Sequence, residues 1–469
     1  MSIKIMEIKS NNILKKISLF FESKYFLAFI SLITVLNFSI NAGLWTYIEA
    51  GIILILMMIS KSKFIYVPSI FIFIIGGGLT SMPNYKSFSF VFTCIIGFFL
   101  IVVLVYDIIK KRKELVCISF SNSFIITTLL LAVVILLSAI TSVKPSTTMG
   151  ALGGFLINII VMYYIILSVK PDDLSKHKLA DSFIIIFYVI FSMIIIKLIR
   201  VLQDNSFKDI IFNKEFFRLG WGHPNHYCSI LSICSIIGIY QFISTFKFSN
   251  IAKKILYIFP LLGTIASCIF LSARGPLVGL MFALGAIFIL TILKYRNNKK
   301  ILLSSICLAI ISAVCAALLY VFVIHDAFGG KGLNGRQEIW PVAWNHFKNN
   351  WFLGTGYGTQ RIFIMAETTQ TVYNYHNYFL QISTCGIVGI ITFIVYLFNI
   401  GWHCINKLDW FNIAFISILA LFLVNGFVDT LFFSNKIMPL FSICLCYVDL
   451  KPKEISLEKQ WKEKLNIFH

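Results

Sequence analysis

Apolar stretches of about 20 residues recur along almost the whole chain, and they decide the fold class before any motif is considered. A backbone placed in hydrocarbon must satisfy its own N–H and C=O groups, so such runs fold as membrane-spanning helices. The runs are continuous rather than alternating, which excludes a β-barrel. Composition agrees: 58% of residues are hydrophobic and 13% charged, against about 25% charged in soluble domains. The expected architecture is an all-α polytopic membrane protein, a single transmembrane domain over residues 1–469 with about 14 transmembrane helices (12–14). The segments fall near 25–41, 43–60, 64–80, 88–106, 120–143, 151–169, 181–201, 224–243, 254–272, 275–293, 301–324, 376–400, 410–429 and 432–449.

The net charge of +20 would suggest nucleic acid in a soluble protein. Here the basic residues sit in short loops between apolar runs, no RNA or DNA motif is present, and no nucleic-acid partner is expected. Most of the 40 basic residues fall in one alternate set of loops, which includes Lys61, Lys110, Lys176, Lys253, Lys294 and Lys407. The positive-inside rule makes that set cytoplasmic. A multi-pass protein of the cytoplasmic (inner) membrane follows, with both termini inside. The N-terminus lacks a small-residue cleavage site and is expected to be retained.

Two segments are then extracytoplasmic: a loop at 202–223 and a large loop at 325–375. A connection of the second length carries function or its own short helices. Arg336 to Phe347 has helical spacing, with Ile339, Val342, Ala343 and Phe347 on one side, so short helices are expected over the outer mouth.

Four polar islands interrupt the apolar pattern, and all fall at that outer face: Arg218 to Asn225, Ser272 to Pro276, Gly335 to Trp340, and His376-Asn377. Cationic and imidazole groups beside hydrocarbon are costly and suggest a site for an anionic, lipid-linked substrate. Arg274 sits between two apolar runs with almost no loop, and Gly275 and Pro276 suit a turn that starts the next helix. Arg274 reads as a phosphate clamp or as a snorkelling interfacial side chain. Arg218 precedes Gly220, Gly222 and Pro224, while His223, Asn225 and His226 add polar groups at the same entrance.

His376 opens a helix, where it could accept a proton from a sugar hydroxyl or serve as a polar cap. Trp340, Trp344 and Trp351 read as interfacial anchors, with sugar stacking as the alternative. Gly354 to Gly358 is glycine-rich without the Lys-Ser/Thr ending of a P-loop, so it reads as a tight backbone turn. The eleven cysteines show no CxxC and no Cys/His ligand spacing; no metal site or disulfide framework is expected. Asp429 and Glu49 are scarce intramembrane acids, candidates for a proton path that form no chain with other ionisable groups. Lys197 and Arg200 share a helix face and either widen the basic mouth or mark the interface.

The ordered set Ser-Ala-Arg-Gly at 272–275, Gly-Arg-x-x-x-Trp at 335–340, Gly-Thr-Gly-Tyr-Gly at 354–358, and His376-Asn377 followed by Gly386 and Gly389 resembles the O-antigen polymerase and ligase family. Gly222 to Asn225 is similar to its capsular and exopolysaccharide polymerase branch. The motifs span about residues 210–400. Ala273 stands between Ser272 and Arg274 where the family more often has Ser-Arg-Gly.

The resemblance implies a GT-C-like, all-helical glycosyltransferase. It would move a glycan from a polyprenyl (undecaprenyl) diphosphate carrier to the acceptor end of a lipid-linked repeat unit, outside the cytoplasmic membrane and without cofactor or metal. Under it, Arg218, Arg274 and Arg336 match diphosphate-binding positions and His376 the catalytic base. His223, Asn225, Trp340 and Asn377 are candidate acceptor or glycan contacts. The implied partners are the lipid-linked oligosaccharide, the bilayer, and a chain-length regulator and flippase of the same pathway. Two alternatives remain open: a ligase that hands the finished glycan to a lipid or cell-wall acceptor, and a transporter of lipid-linked oligosaccharide.

Overall fold

A computed structural model describes residues 2–62, 64–78, 123–168, 173–206, 214–295, 335–370, 374–429, 431–434 and 436–448, with isolated positions between. Every described element is helical. In chain order they are α1 (Ser2–Phe21), α2 (Lys24–Ile40), α3 (Leu44–Ile59), α4 (Val67–Phe73), α5 (Ser123–Ser138), α6 (Pro145–Ser168), α7 (Asp173–Asp204) and α8 (Pro224–Thr245). There follow α9 (Ile251–Phe270), α10 (Arg274–Tyr295), α11 (Arg336–Asn349), α12 (Gln360–Glu367), α13 (Tyr378–Ile382), α14 (Gly386–Asn406), α15 (Trp410–Gly426) and α16 (Met438–Val448).

Five of these runs are long and apolar enough to cross a membrane: Ser175–Asp204, Pro224–Thr245, Ile251–Phe270, Arg274–Lys294 and Tyr378–Asn406. A bent pair, Asn12–Phe21 with Lys24–Ile40, would make a sixth. Shorter apolar helices fill other expected segments, namely Trp45–Ile59, Val67–Gly76, Phe124–Ser138, Trp410–Gly426 and Met438–Val448. The segments at 88–106 and 301–324, and parts of the loops 202–223 and 325–375, lie outside the described residues. One element differs from the sequence reading: the charged N-terminal stretch is itself a helix, α1, which meets α2 at 62°.

The centre of the bundle is α8, whose sides are buried nearly all round. It packs against α7, α9, α10 and α15, while α10 and α15 form the most extensive helix pair. Small residues let α10 approach α15 closely. A Cβ added at Gly279 would lie 2.8 Å from Leu421 Cδ1 and 3.0 Å from its carbonyl oxygen.

The two ends of the bundle differ in chemistry. At one end Lys176 meets Asp409 at 3.0 Å and Lys178 donates to the Glu22 carbonyl. Asp409 also caps α15 by accepting from Asn412 N at 2.7 Å. At the other end the segment after α11 is woven into the bundle. Ile387 N donates to Trp351 O (2.7 Å), Gly356 N to Thr384 O (3.0 Å) and Tyr357 N to Ser138 Oγ (3.2 Å).

This weave accounts for the glycine-rich stretch. Gly354, Gly356 and Gly358 all have positive φ (76°, 97° and 89°). A side chain on Gly354 would run into the Thr384 carbonyl, and one on Gly386 into that of Phe352. The backbones touch because neither strand of the crossing carries a Cβ there.

A candidate transferase site at one end of the bundle

The helices α8, α10 and α13 all begin at the woven end, and α15 finishes there. The turn after α15, residues 427–429, is where the polar islands meet. Arg336 donates from a guanidinium nitrogen to Val428 O at 2.6 Å. Asn377 Nδ2 donates to Phe427 O at 3.2 Å. Asn225 Nδ2 lies 3.5 Å from Asp429 Oδ2. His376 Nδ1 lies 3.6 Å from Asp429 Oδ1. That separation is too long for a hydrogen bond and within ion-pair distance for a protonated imidazole.

Local sequence explains how each group is presented. His223 caps α8, its ring nitrogen accepting from Asn225 N at 3.4 Å, and Pro224 occupies the first helical turn, where no N–H is needed. Asn377 caps α13 through Phe379 N (2.9 Å) and Leu380 N (3.2 Å). The cap fixes Asn377, while its amide nitrogen still reaches the Phe427 carbonyl.

His376 just before it has φ of 50°, a left-handed conformation that costs a non-glycine residue about 1–2 kcal/mol. Two contacts hold it there. His376 N donates to Asn374 Oδ1 at 3.2 Å, and Trp340 Nε1 donates to Tyr375 O at 3.0 Å. Backbone strain of this kind tends to persist where a side chain must be aimed.

Arg274 is the first residue of α10 and its side chain is exposed. Its neighbour Gly275 packs on the same turn, since a Cβ there would lie 3.2 Å from Val428 Cγ2. Arg218 is also exposed. It follows Phe217, whose ring packs edge-on against Phe270 at 5.1 Å, at the end of α9 and a few residues before Arg274. The structure therefore gathers Asn225, Arg336, His376 and Asn377 around one turn, with Arg274 one residue from it. Arg218 stays at the periphery, and His223 acts as a helix cap.

Asp429 corrects the expectation that it joins no chain of ionisable groups. It is buried, at 5% exposure, and faces His376, Asn225, Arg336 and His226. Burial pulls the Arg336 guanidinium down from its usual range, and the Asp429 carboxylate opposes that shift. Half-buried Lys436 is likewise pulled down by burial and faces His226. In the sequence Asp429 stands alone because its partners lie 53 to 204 residues away along the chain. Its signal was a lone acid at the end of an apolar run.

Asn225 Oδ1, His226 Nδ1 and the Tyr375 hydroxyl are buried without a hydrogen-bond partner among the described residues. Unmet polar capacity beside an imidazole–carboxylate pair is what a polar ligand would satisfy. No group of three or more metal-ligating side chains occurs among the described residues. Glu49 belongs elsewhere, accepting from Asn37 Nδ2 at 2.6 Å. Arg200 is held by the Ser39 carbonyl at the end of α2.

Chemically, the arrangement can take a proton on an imidazole backed by a carboxylate. It can also place guanidinium charge and the start of α10 beside an anion. Residues 259–394 match the protein family described as O-Antigen ligase.

The match supports assignment to the O-antigen ligase and polymerase family.

It covers less than a third of the chain and takes in Arg274, Arg336, Trp340, His376 and Asn377, while Arg218, Asn225 and Asp429 lie outside it. The match supports glycan transfer of the O-antigen ligase or polymerase type as the activity class, in a multi-pass helical membrane protein. No curated protein matches the chain.

Proposed function

We propose that the protein is a polysaccharide polymerase working on polyprenyl-diphosphate-linked glycans at the outer face of the cytoplasmic membrane. The observation that carries this reading is the meeting of Arg336, His376 and Asp429 at the 427–429 turn, with Arg274 alongside. In this reading Arg274, Arg336 and Arg218 receive the donor diphosphate. The hydroxyl oxygen of the acceptor sugar attacks the anomeric carbon. The bond from that carbon to the diphosphate oxygen breaks, and polyprenyl diphosphate departs with the electron pair. The hydroxyl proton passes to Nε2 of His376, and Asp429, facing Nδ1, stabilises the imidazolium that forms. Guanidinium groups fixed before the reaction stabilise the charge that builds on the leaving oxygen.

The deciding experiment gives purified protein in lipid nanodiscs a synthetic polyprenyl-diphosphate repeat unit. A ladder of products one repeat apart is expected. A single transfer onto an added lipid acceptor, with no ladder, would replace the polymerase by a ligase, a reading that the name of the matched family keeps in view. No transfer at all would overturn both.

The proposed sidedness rests on the lysine-rich end, where Lys176 and Lys178 are held, facing the cytoplasm. A cysteine introduced at Asn345, on the exposed side of α11, should react with a membrane-impermeant maleimide in intact cells. Labelling only after lysis would reverse the orientation.

A further inference from the structure

Helix α11 carries more aromatic surface than its packing uses. Its inner face is aliphatic and small: Ile339, Val342 and Ala343 are buried against the bundle. A second face carries Trp340, Trp344 and Phe347 at i, i+4 and i+7, which places them in one row. Trp344 and Phe347 stack with ring centroids 5.4 Å apart and planes 28° from parallel. Trp344 is 52% exposed, and Trp351, just past the helix end, is 59% exposed.

The row begins inside the site. Trp340 donates to the carbonyl of Tyr375, the residue before His376. From there the helix rises about 1.5 Å per residue, so the row leads away from the imidazole along the surface of the bundle's end.

We infer that this row is a binding track for the glycan chain, on which successive sugar rings stack as they leave or approach the reaction centre. The inference rests on the polymerase reading for its direction, but the track itself is a carbohydrate site. Sugars offer flat C–H faces to aromatic rings and hydroxyls to amides. The exposed groups beside the row include Asn345, Asn349, Asn350 and Lys348, whose ammonium lies 6.0 Å from the Trp344 ring centroid. A helix that lies in a bilayer surface buries a broad apolar face of Trp, Phe and Leu in the lipid. Here Ile339, Val342 and Ala343 are turned into the protein, and the uncovered face offers a narrow row of rings flanked by amides and the Lys348 ammonium.

Two measurements on the full chain in nanodiscs test the track. In the first, the probes are oligosaccharides of one to six repeats, released by mild acid from the surface polysaccharide of the host cell. Wild-type protein should bind longer probes more tightly than a single repeat. The variant Trp344→Ala/Phe347→Ala/Trp351→Ala should lose about tenfold or more for the longer probes, each stacked ring contributing roughly two- to tenfold. The variant Trp344→Phe/Phe347→Tyr/Trp351→Phe should keep most of the length dependence, which separates lost stacking from lost folding.

In the second, brominated phosphatidylcholine quenches tryptophans that touch lipid. Trp344→Phe should leave the absolute quenched intensity unchanged. Equal binding by wild type and the alanine variant, or no dependence on probe length, overturns the track. So does a clear drop in the absolute quenched intensity on Trp344→Phe, which would make the row a membrane anchor. Because binding is read without turnover, loss of the track and loss of the polymerase reading remain distinguishable: the latter shows as a missing product ladder.

Discussion

Replacing His376 with alanine is expected to cut glycan transfer by roughly 10²–10⁴ while donor capture persists, since a positioned base contributes about that much and the arginines remain in place. Added imidazole should restore part of the lost rate, because a small base can enter the space the side chain vacates. Asp429→Asn should lower turnover by less and leave the Michaelis constant for the donor near its wild-type value, because Asp429 acts through His376. Near-normal turnover in His376→Ala, measured from the first product formed, would remove the imidazole from the mechanism.

A second large effect is expected from the arginines, and the structure separates their consequences. Arg274 is exposed at the start of α10, so Arg274→Ala should keep the fold and lose about 10²–10³ in rate, the usual cost of one preorganised donor. Arg274→Lys should recover little of it, because a point charge lacks the planar fork that grips phosphate oxygens. Arg336 has two duties. Its removal strands the Val428 carbonyl and takes one facing cation from buried Asp429. Losing a hydrogen-bond donor to a buried carbonyl costs about 1–3 kcal/mol. Arg336→Ala should therefore lose both activity and thermal stability, read by denaturation in detergent alongside the transfer assay. Full activity in the Arg274→Ala/Arg218→Ala double variant would refute a diphosphate role for the exposed pair.

What the sequence disclosed and what it hid follow from separation along the chain. The helical class was legible because hydropathy is a local property. So were the tight turns of Gly354–Gly358, since three glycines in five residues mark a backbone that takes positive φ. Arg274, Arg336 and His376 stood out singly as polar residues at the ends of apolar runs. Their common focus did not, because it is a backbone turn. Phe427 and Val428 contribute carbonyl oxygens, which no side-chain pattern marks. The sequence alone likewise could not separate His223 as a cap from His223 as a ligand contact; the hydrogen bond from Asn225 N to its ring assigns the capping role. Helix α1 was missed because its lysines break the apolar run that identifies a span.

The 427–429 turn is held by residues from three remote stretches of chain: Asn225, Arg336 and Asn377. Only two of the three lie within the segment that matches the O-Antigen ligase family, and the turn itself lies beyond it. Chimaeras between members of such a family, made to exchange one glycan preference for another, therefore have natural cut points that differ from the edges of the shared segment. A transplant of 259–394 alone would set a foreign imidazole against a resident acid and a resident amide. A workable exchange carries the start of α8 and the turn after α15 along with it, as one unit scattered through the chain.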